Sequence, residues 1–429
     1  MNGMAIAILL VSFFGLIFVG AHVAFAMITA AILTTLYLGF PLLLVAQNII
    51  DGINGFAFLA IPFFILAGQI MSHGGISERL VKLSNALVGW MRGGLAMVNI
   101  LASMFFGGIS GSATADTASL GSILIPMMKK NGYDGDFSTT VTMASSVQGL
   151  LVPPSHNMVI FALAAGGVSI GRLFLGGLVP GIVLGIALMI FSLFISMVRK
   201  YPKGDSFRLL TLLTTLKDSI LGLGTVLIVV IGVVTGVFTA TESAAIAVVY
   251  AFIVTFFIYR EIPLKAFWTI LGDTMRTLSM VMILIAAAGA FGWCIAFLKV
   301  PTMLASAILG FTSSKVVALL IINALLLILG TMMGMASIIV IMTPILLPIV
   351  MQLGMDPVQF GAVMILNCGI GLLTPPVGGV LFVGSAVSGI KVERLSRAML
   401  PFYAVMLAVL MSITFIPQIT MFLPNLLMP

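Results

Sequence analysis

The chain has 429 residues, 61% of them hydrophobic and only 7% charged, with a formal net charge of +7 at pH 7. Soluble domains carry about 25% charged residues, so this composition excludes a water-soluble globular protein and predicts helices packed in lipid. The positive balance does not point to nucleic acid, because the basic residues gather at the ends of apolar segments, where the positive-inside rule accounts for them.

Taken in chain order, Met4–Gly20 lacks a basic leader and a small-residue cleavage site, and reads as a retained helix. It opens a set of scaffold helices over 1–76. An interfacial arm helix over 77–92 follows, with Trp90 at the lipid–water boundary. The apolar stretch 95–128 has Arg79, Lys82 and Arg92 before it, Lys129 and Lys130 after it, and Gly107, Gly108 and Gly111 near its middle. Basic residues on both flanks predict a re-entrant helical hairpin that enters and leaves by the cytoplasmic face. Segment 137–165 contains Gly149, Pro153 and Pro154 and reads as an interrupted helix, before a final span over 174–198. Arg199, Lys200, Lys203, Arg208 and Lys217 make 199–217 a cytoplasmic basic linker.

The second half reads in the same way. Scaffold helices over 218–259 lead to an arm helix at 262–276, carrying Trp268, and a span at 280–297. A second hairpin over 316–351, an interrupted helix over 360–387 and a final span over 399–416 complete it. No Lys or Arg lies between Val316 and Ile390, so this hairpin is expected to open to the periplasm, with both termini also periplasmic.

One stretch occurs twice. Gly149-Leu150-Leu151-Val152-Pro153-Pro154 recurs as Gly371-Leu372-Leu373-Thr374-Pro375-Pro376, an offset of 371 − 149 = 222. The same offset carries Pro126 onto Pro348, Asp134 onto Asp356 and Arg172 onto Arg394. Shared Gly, Pro, Asp and Arg argue against chance similarity between greasy segments, and the charge placement inverts independently. The expectation is an all-α polytopic membrane protein of two inverted-topology repeats, 1–198 and 218–429, with an elevator-type ion-transporter fold.

Broken helices expose polar backbone within the membrane, and this backbone is tolerated only inside protein or beside water. Freed carbonyls suit a cation and freed N–H groups an anion. One sodium ion is expected between each hairpin tip and its own repeat's interrupted helix. The first site would use Ser110, Ser112, Asp116, Ser145 and Gly149, and the second Gly330, Gly334, Asn367, Gly371 and Thr374. An ionised Asp at mid-membrane costs roughly 2.5–3.5 kcal/mol on insertion scales, so Asp116 needs a partner. Its other reading is an acid in the first helical turn satisfied by the dipole and by hydroxyls. Pro153, Pro154, Pro375 and Pro376 would break the helices; a packing kink is the alternative. Ser112, Asn157, Ser337 and Asn367 are the substrate candidates. Arg172 and Arg394, near helix ends, read as anchors. Thr239 or Thr241 reads as a cap with Glu242 in the first turn, with a buried gating contact as the alternative.

Cys294 and Cys368, and the scattered His22, His73 and His156, offer no metal spacing. No nucleophile, base and metal set converges, so no enzyme activity and no cofactor beyond sodium as coupling ion is expected. The absence of a G-x-x-x-x-G-K-[ST] motif argues against an ATP-driven pump.

At the motifs Ile61-Pro62-Phe63-Phe64-Ile65-Leu66-Ala67-Gly68, Gly108-Ile109-Ser110-Gly111-Ser112-Ala113-Thr114-Ala115-Asp116 and Phe238-Thr239-Ala240-Thr241-Glu242-Ser243-Ala244-Ala245, the chain resembles the large membrane subunit of tripartite ATP-independent periplasmic (TRAP) transporters, DctM/SiaM-like. The duplicated Pro-Pro segments match as well. The resemblance implies sodium-coupled uptake of a small organic acid anion, sialic acid or a C4-dicarboxylate, across the bacterial inner membrane by an elevator motion. It also implies two partners: a small four-helix membrane subunit, expected here as a separate chain, and a periplasmic substrate-binding protein. A stand-alone sodium/dicarboxylate symporter and a non-transporting membrane scaffold are the alternatives.

Overall fold

The computed structural model describes residues 2–204, 206–312 and 314–428. Among these residues there are helices and no strands; one isolated antiparallel bridge joins Arg92 to Lys203. The first half contains α1 (Asn2–Phe18), α2 (Val23–Tyr37), α3 (Leu43–Asp51), a 3-10 turn at Phe56–Leu59, α4 (Ala60–His73), α5 (Ile76–Val88), α6 (Gly94–Ser110), α7 (Ala113–Lys130), α8 (Gly135–Gln148), α9 (His156–Ala164) and α10 (Ile170–Val198). The second half contains α11 (Leu209–Val234), α12 (Ala240–Ile253) with a π-helical extension Val254–Tyr259, α13 (Ala266–Phe297), α14 (Val300–Phe311), α15 (Lys315–Met332), α16 (Met335–Gln352), α17 (Pro357–Gly371), α18 (Gly379–Ser388), α19 (Val392–Phe415) and α20 (Pro417–Leu427).

The 222-residue offset extends to the helix bounds. It carries α7 onto α16 at both ends, and the starts of α8 and α10 onto those of α17 and α19. Seven of the described helices are long and apolar enough to cross a membrane: α10, α11, α12 with its extension, α13, α15, α16 and α19. Their lipid-facing sides are apolar and open. On α10, Ile186, Ile190 and Phe194 form an exposed stripe at four-residue spacing.

Local chemistry explains several boundaries. Thr239 caps α12 in a reciprocal capping box with Glu242, the plainer of the two readings of that motif. Asp356 caps α17 through Val358 N–H, and Ser169 caps α10 through Arg172 N–H.

Three segment boundaries differ from the sequence expectation. The arm at 262–276 and the span at 280–297 form one continuous helix, α13. In the first half, Gly52, Asn54 and Gly55 end α3; the offset places Thr274, Arg276 and Thr277 there, and these residues let the helix run on. The counterpart of the first arm is instead α14, which matches α5 at the same offset. That first arm, α5, turns 71° from α4. Second, α11 begins at Leu209, so the later part of the 199–217 linker is helical. Third, the final span is followed by α20, after a break at Ile416-Pro417, where proline cannot continue the ladder.

The two broken helices lie at the centre. Every residue from Phe137 to Gln148 in α8 and from Val358 to Gly371 in α17 is buried. The halves interlock around them: α7 packs on α18 of the second half, and α16 packs on α9 of the first. Arg394 and Asp136 form a 2.8 Å ion pair across the halves, and Arg172 Nη2 donates to Asn425 Oδ1 at 3.1 Å. Both arginines therefore make contacts away from the helix breaks.

Candidate ion and substrate site at the broken helices

The first hairpin turns at Gly111, which takes the left-handed conformation (φ +60°) that favours glycine. Ser112, next in the chain, is extended and caps α7: its Oγ accepts from Ala115 N–H at 3.3 Å and shares a 2.9 Å hydrogen bond with Thr114 Oγ1. Ser110 Oγ accepts from Ser112 N–H at 3.4 Å. Asn157, in the first turn of α9, donates from Nδ2 to the carbonyl of Gly111 at 3.0 Å. Ser110, Ser112 and Asn157 thus meet at the hairpin tip.

Asp116 belongs to a second network one turn deeper. It is fully buried. Its Oδ1 accepts from Ser103 Oγ at 3.3 Å, and its Oδ2 has no hydrogen-bond partner. Ser103 Oγ also shares a 2.9 Å hydrogen bond with Ser145 Oγ. Asn99 Nδ2 donates to Thr142 Oγ1 at 2.6 Å beside it, and Ser145 Oγ donates to the Thr142 carbonyl at 3.0 Å. Asp116 and Ser145 are therefore joined through Ser103. Gly149 is the C-cap of α8. It packs backbone to backbone on Gly107, where a Cβ on Gly149 would fall 2.5 Å from the Gly107 Cα.

In the second half, Asn367 Nδ2 donates to Asn323 Oδ1 at 2.8 Å and to the Asn323 carbonyl at 3.0 Å, leaving Asn367 Oδ1 without a partner. Asn323 Nδ2 is shared between the Leu319 carbonyl at 2.9 Å and Thr414 Oγ1 at 3.4 Å. Gly371 packs on Gly330 as Gly149 does on Gly107. The tip and the break are tied by Val377 N–H donating to the Thr331 carbonyl at 3.1 Å. Gly334 is the N-cap of α16, and buried Ser337 follows in its first turn. Thr374, in the break itself, donates from Oγ1 to the Ile370 carbonyl of α17 at 2.9 Å. Of the four substrate candidates, Ser112 and Asn157 share the first tip, while Asn367 sits in the Asn323 network of the second half. Ser337 lies on α16, which packs against the helix bearing Asn157.

The two breaks differ in access. Residues 150–155 are all buried, whereas Pro375, Pro376 and Val377 are exposed. The first turn of α7 comes up to the second break: a Cβ on Gly379 would lie 3.8 Å from Thr114 Cγ2. The amino end of α18 thus lies beside the first turn of α7, with Val380 N–H donating to the Leu372 carbonyl at 3.1 Å.

Sequence reasoning missed Ser103, Asn99, Thr142, Asn323 and Thr414. A signal existed for Asn323, a lone amide in the apolar run of α15. Another existed for Asn99 and Ser103, which share a helix face at four-residue spacing. The donor set is hydroxyl, amide and carbonyl oxygen with one carboxylate. Such oxygens suit a hard cation rather than a soft one.

Residues 10–419 match the family described as tripartite ATP-independent periplasmic transporter, DctM component. The chain belongs to this family. As a TRAP large permease it is 42% identical to the isethionate TRAP transporter permease protein DctMQ of Oleidesulfovibrio alaskensis, over 94% of this chain and 64% of that protein. It is 38% identical to the sialic acid TRAP transporter large permease protein SiaM of Vibrio cholerae, over 96% of each. Among solved structures it is similar to the YdaH transporter of Alcanivorax borkumensis, with a TM-score of 0.62, 17% identity and 86% of both chains covered. That likeness shows the fold, an all-helical elevator-type architecture of two inverted-topology repeats. The TRAP large permease is a multi-pass membrane protein.

Proposed function

We propose that this TRAP large permease takes up a small organic acid anion, sialic acid or a C4-dicarboxylate, across the bacterial inner membrane, driven by sodium. The observation that carries this reading is the pairing of each hairpin with its own repeat's broken helix. At each pairing two glycines bring the backbones together, and a buried oxygen is left without a partner, on Asp116 in one half and on Asn367 in the other. Isethionate and sialic acid, for which the two relatives are named, are small anions. A periplasmic binding protein delivers the acid, and a small four-helix membrane subunit supports the scaffold. The hairpins and broken helices then move as a body across the outer helices, with both termini on the periplasmic side.

Each net positive charge moved inward gains about 2.3 kcal/mol per 100 mV. Two sodium ions neutralise a dianion, and with a monoanion one net charge moves. Uptake into proteoliposomes containing this chain and its small membrane subunit tests the reading. Sodium, the binding protein and each acid (sialic acid, succinate, isethionate) are supplied separately. The expected result is uptake of one acid that requires both an inward sodium gradient and the binding protein. Equal uptake in potassium would overturn sodium coupling. Full uptake without the binding protein would favour a stand-alone symporter.

A further inference from the structure

The two proposed ion sites differ in charge. The offset that superposes the halves places Ile338 opposite Asp116, Leu325 opposite Ser103 and Asn367 opposite Ser145. The first site therefore holds a carboxylate, fully buried, with one hydroxyl donor and one free oxygen. The second is built from amides and a hydroxyl, Asn323, Asn367 and Thr414, with no acid on α15, α16, α17 or α18. The three ion pairs among the described residues all lie elsewhere, so no Lys or Arg neutralises Asp116.

We infer that the first site binds its cation without substrate, whereas the second holds its cation only together with the substrate anion. This rests on the sodium-coupled reading above and deepens it. The physical reason is compensation of charge in a poorly polarisable interior. Neutral oxygens hold an ion there more weakly than oxygens that include a counter-charge, and removing one partner of a buried charge pair is strongly unfavourable. In the first half the protein itself carries the group that can supply this counter-charge, the carboxyl of Asp116. In the second half nothing does, so the anion itself must. The exposure pattern agrees: the break next to the neutral site, at Pro375–Val377, is open, and the break next to Asp116 is closed. An anion held at the open break would sit at the amino end of α18, with the uncompensated site one to two turns back along α17. Substrate and one cation then bind as a mutually dependent pair, which is the coupling that a symporter requires.

Equilibrium binding of radioactive sodium to the purified permease with its small membrane subunit, without any organic acid, tests the inference. The expected stoichiometry is one sodium per chain. Asp116→Asn, which keeps shape and burial, is expected to weaken this binding at least tenfold. Asn367→Asp places a carboxylate at the neutral site and is expected to raise the acid-free stoichiometry to two, while weakening the anion's effect on sodium affinity. Two acid-free sites in the wild type, or acid-free binding unchanged in Asp116→Asn, would overturn the inference, as would a stoichiometry still at one in Asn367→Asp. Sodium-independent uptake in the proteoliposome assay would instead defeat the underlying functional reading, so the two failures are distinguishable.

Discussion

Gly107 and Gly149 meet backbone to backbone: a Cβ on Gly107 would fall 2.0 Å from the Gly149 Cα. This contact seats the first hairpin on the first broken helix. Neither residue has a positive φ, so alanine is acceptable to the local backbone and any cost arises from the contact. Gly149→Ala must push α6 and α8 apart. Overpacking of this kind costs about 1–3 kcal/mol. The expected outcome is a lower melting temperature in detergent and at least a tenfold loss of uptake. A neutral result in both measurements would show that the hairpin does not need to seat so closely.

Access to the two breaks predicts an asymmetric labelling pattern. Val377 is exposed and Ser155 is fully buried, although they occupy equivalent positions. The native Cys294 and Cys368 are both buried and give low background. A water-soluble thiol reagent should label Val377→Cys rapidly and Ser155→Cys at least tenfold more slowly. Equal rates would refute the asymmetry. Reversal of the pattern on adding sodium and acid would report the carrier's other conformation.

A charged cluster at the start of α8 makes a pH prediction. Asp134 Oδ2 accepts from Tyr201 Oη and from Arg199 Nη1, both at 2.7 Å. The Tyr201 hydrogen bond first, and Arg199 after it, hold this carboxyl below its ordinary value of 3.8. A depressed folded-state value stabilises the protein above the unfolded value, and that stabilisation is lost as pH falls through the folded one. Wild type should therefore melt above Asp134→Asn at pH 7, and the gap should close in acid below the ordinary carboxylate range. The side chain is 59% exposed, so the gap should also shrink in high salt. A gap that is constant across pH would assign the effect to packing.

The Arg394–Asp136 pair crosses the two halves with 72% and 25% of the side-chain surfaces exposed. Exposed pairs are worth about 0–1 kcal/mol. Arg394→Ala is expected to shift the melting temperature by only a few degrees at most. A double-mutant cycle with Asp136→Ala should give a coupling within that range. A larger coupling would mean that the pair holds the halves together, rather than decorating their junction.

The sequence by itself determined the class, the duplication, the hairpin turns and the positions of both helix breaks. These properties are local or periodic. Apolar content sets the solvent, Gly and Pro interrupt backbone hydrogen bonding wherever they fall, and lysines and arginines gather at segment ends. The continuous α13 was legible too, in the loss of Gly52 and Gly55 from the second half, but Trp268 and the flanking charges read more strongly as an arm. The tertiary structure alone decided which oxygens meet. Ser103 is an ordinary hydroxyl in a helix until packing sets it between Asp116 and Ser145, which are 29 residues apart in sequence. Lateral packing also decided that α7 rests on α18 and α16 on α9, and that one break is buried while its copy is open. Nearly every neighbouring surface in a membrane bundle is apolar, so hydrophobicity carries almost no information about partner choice. Shape and a few buried polar contacts supply it, and both exist only once the chain is assembled.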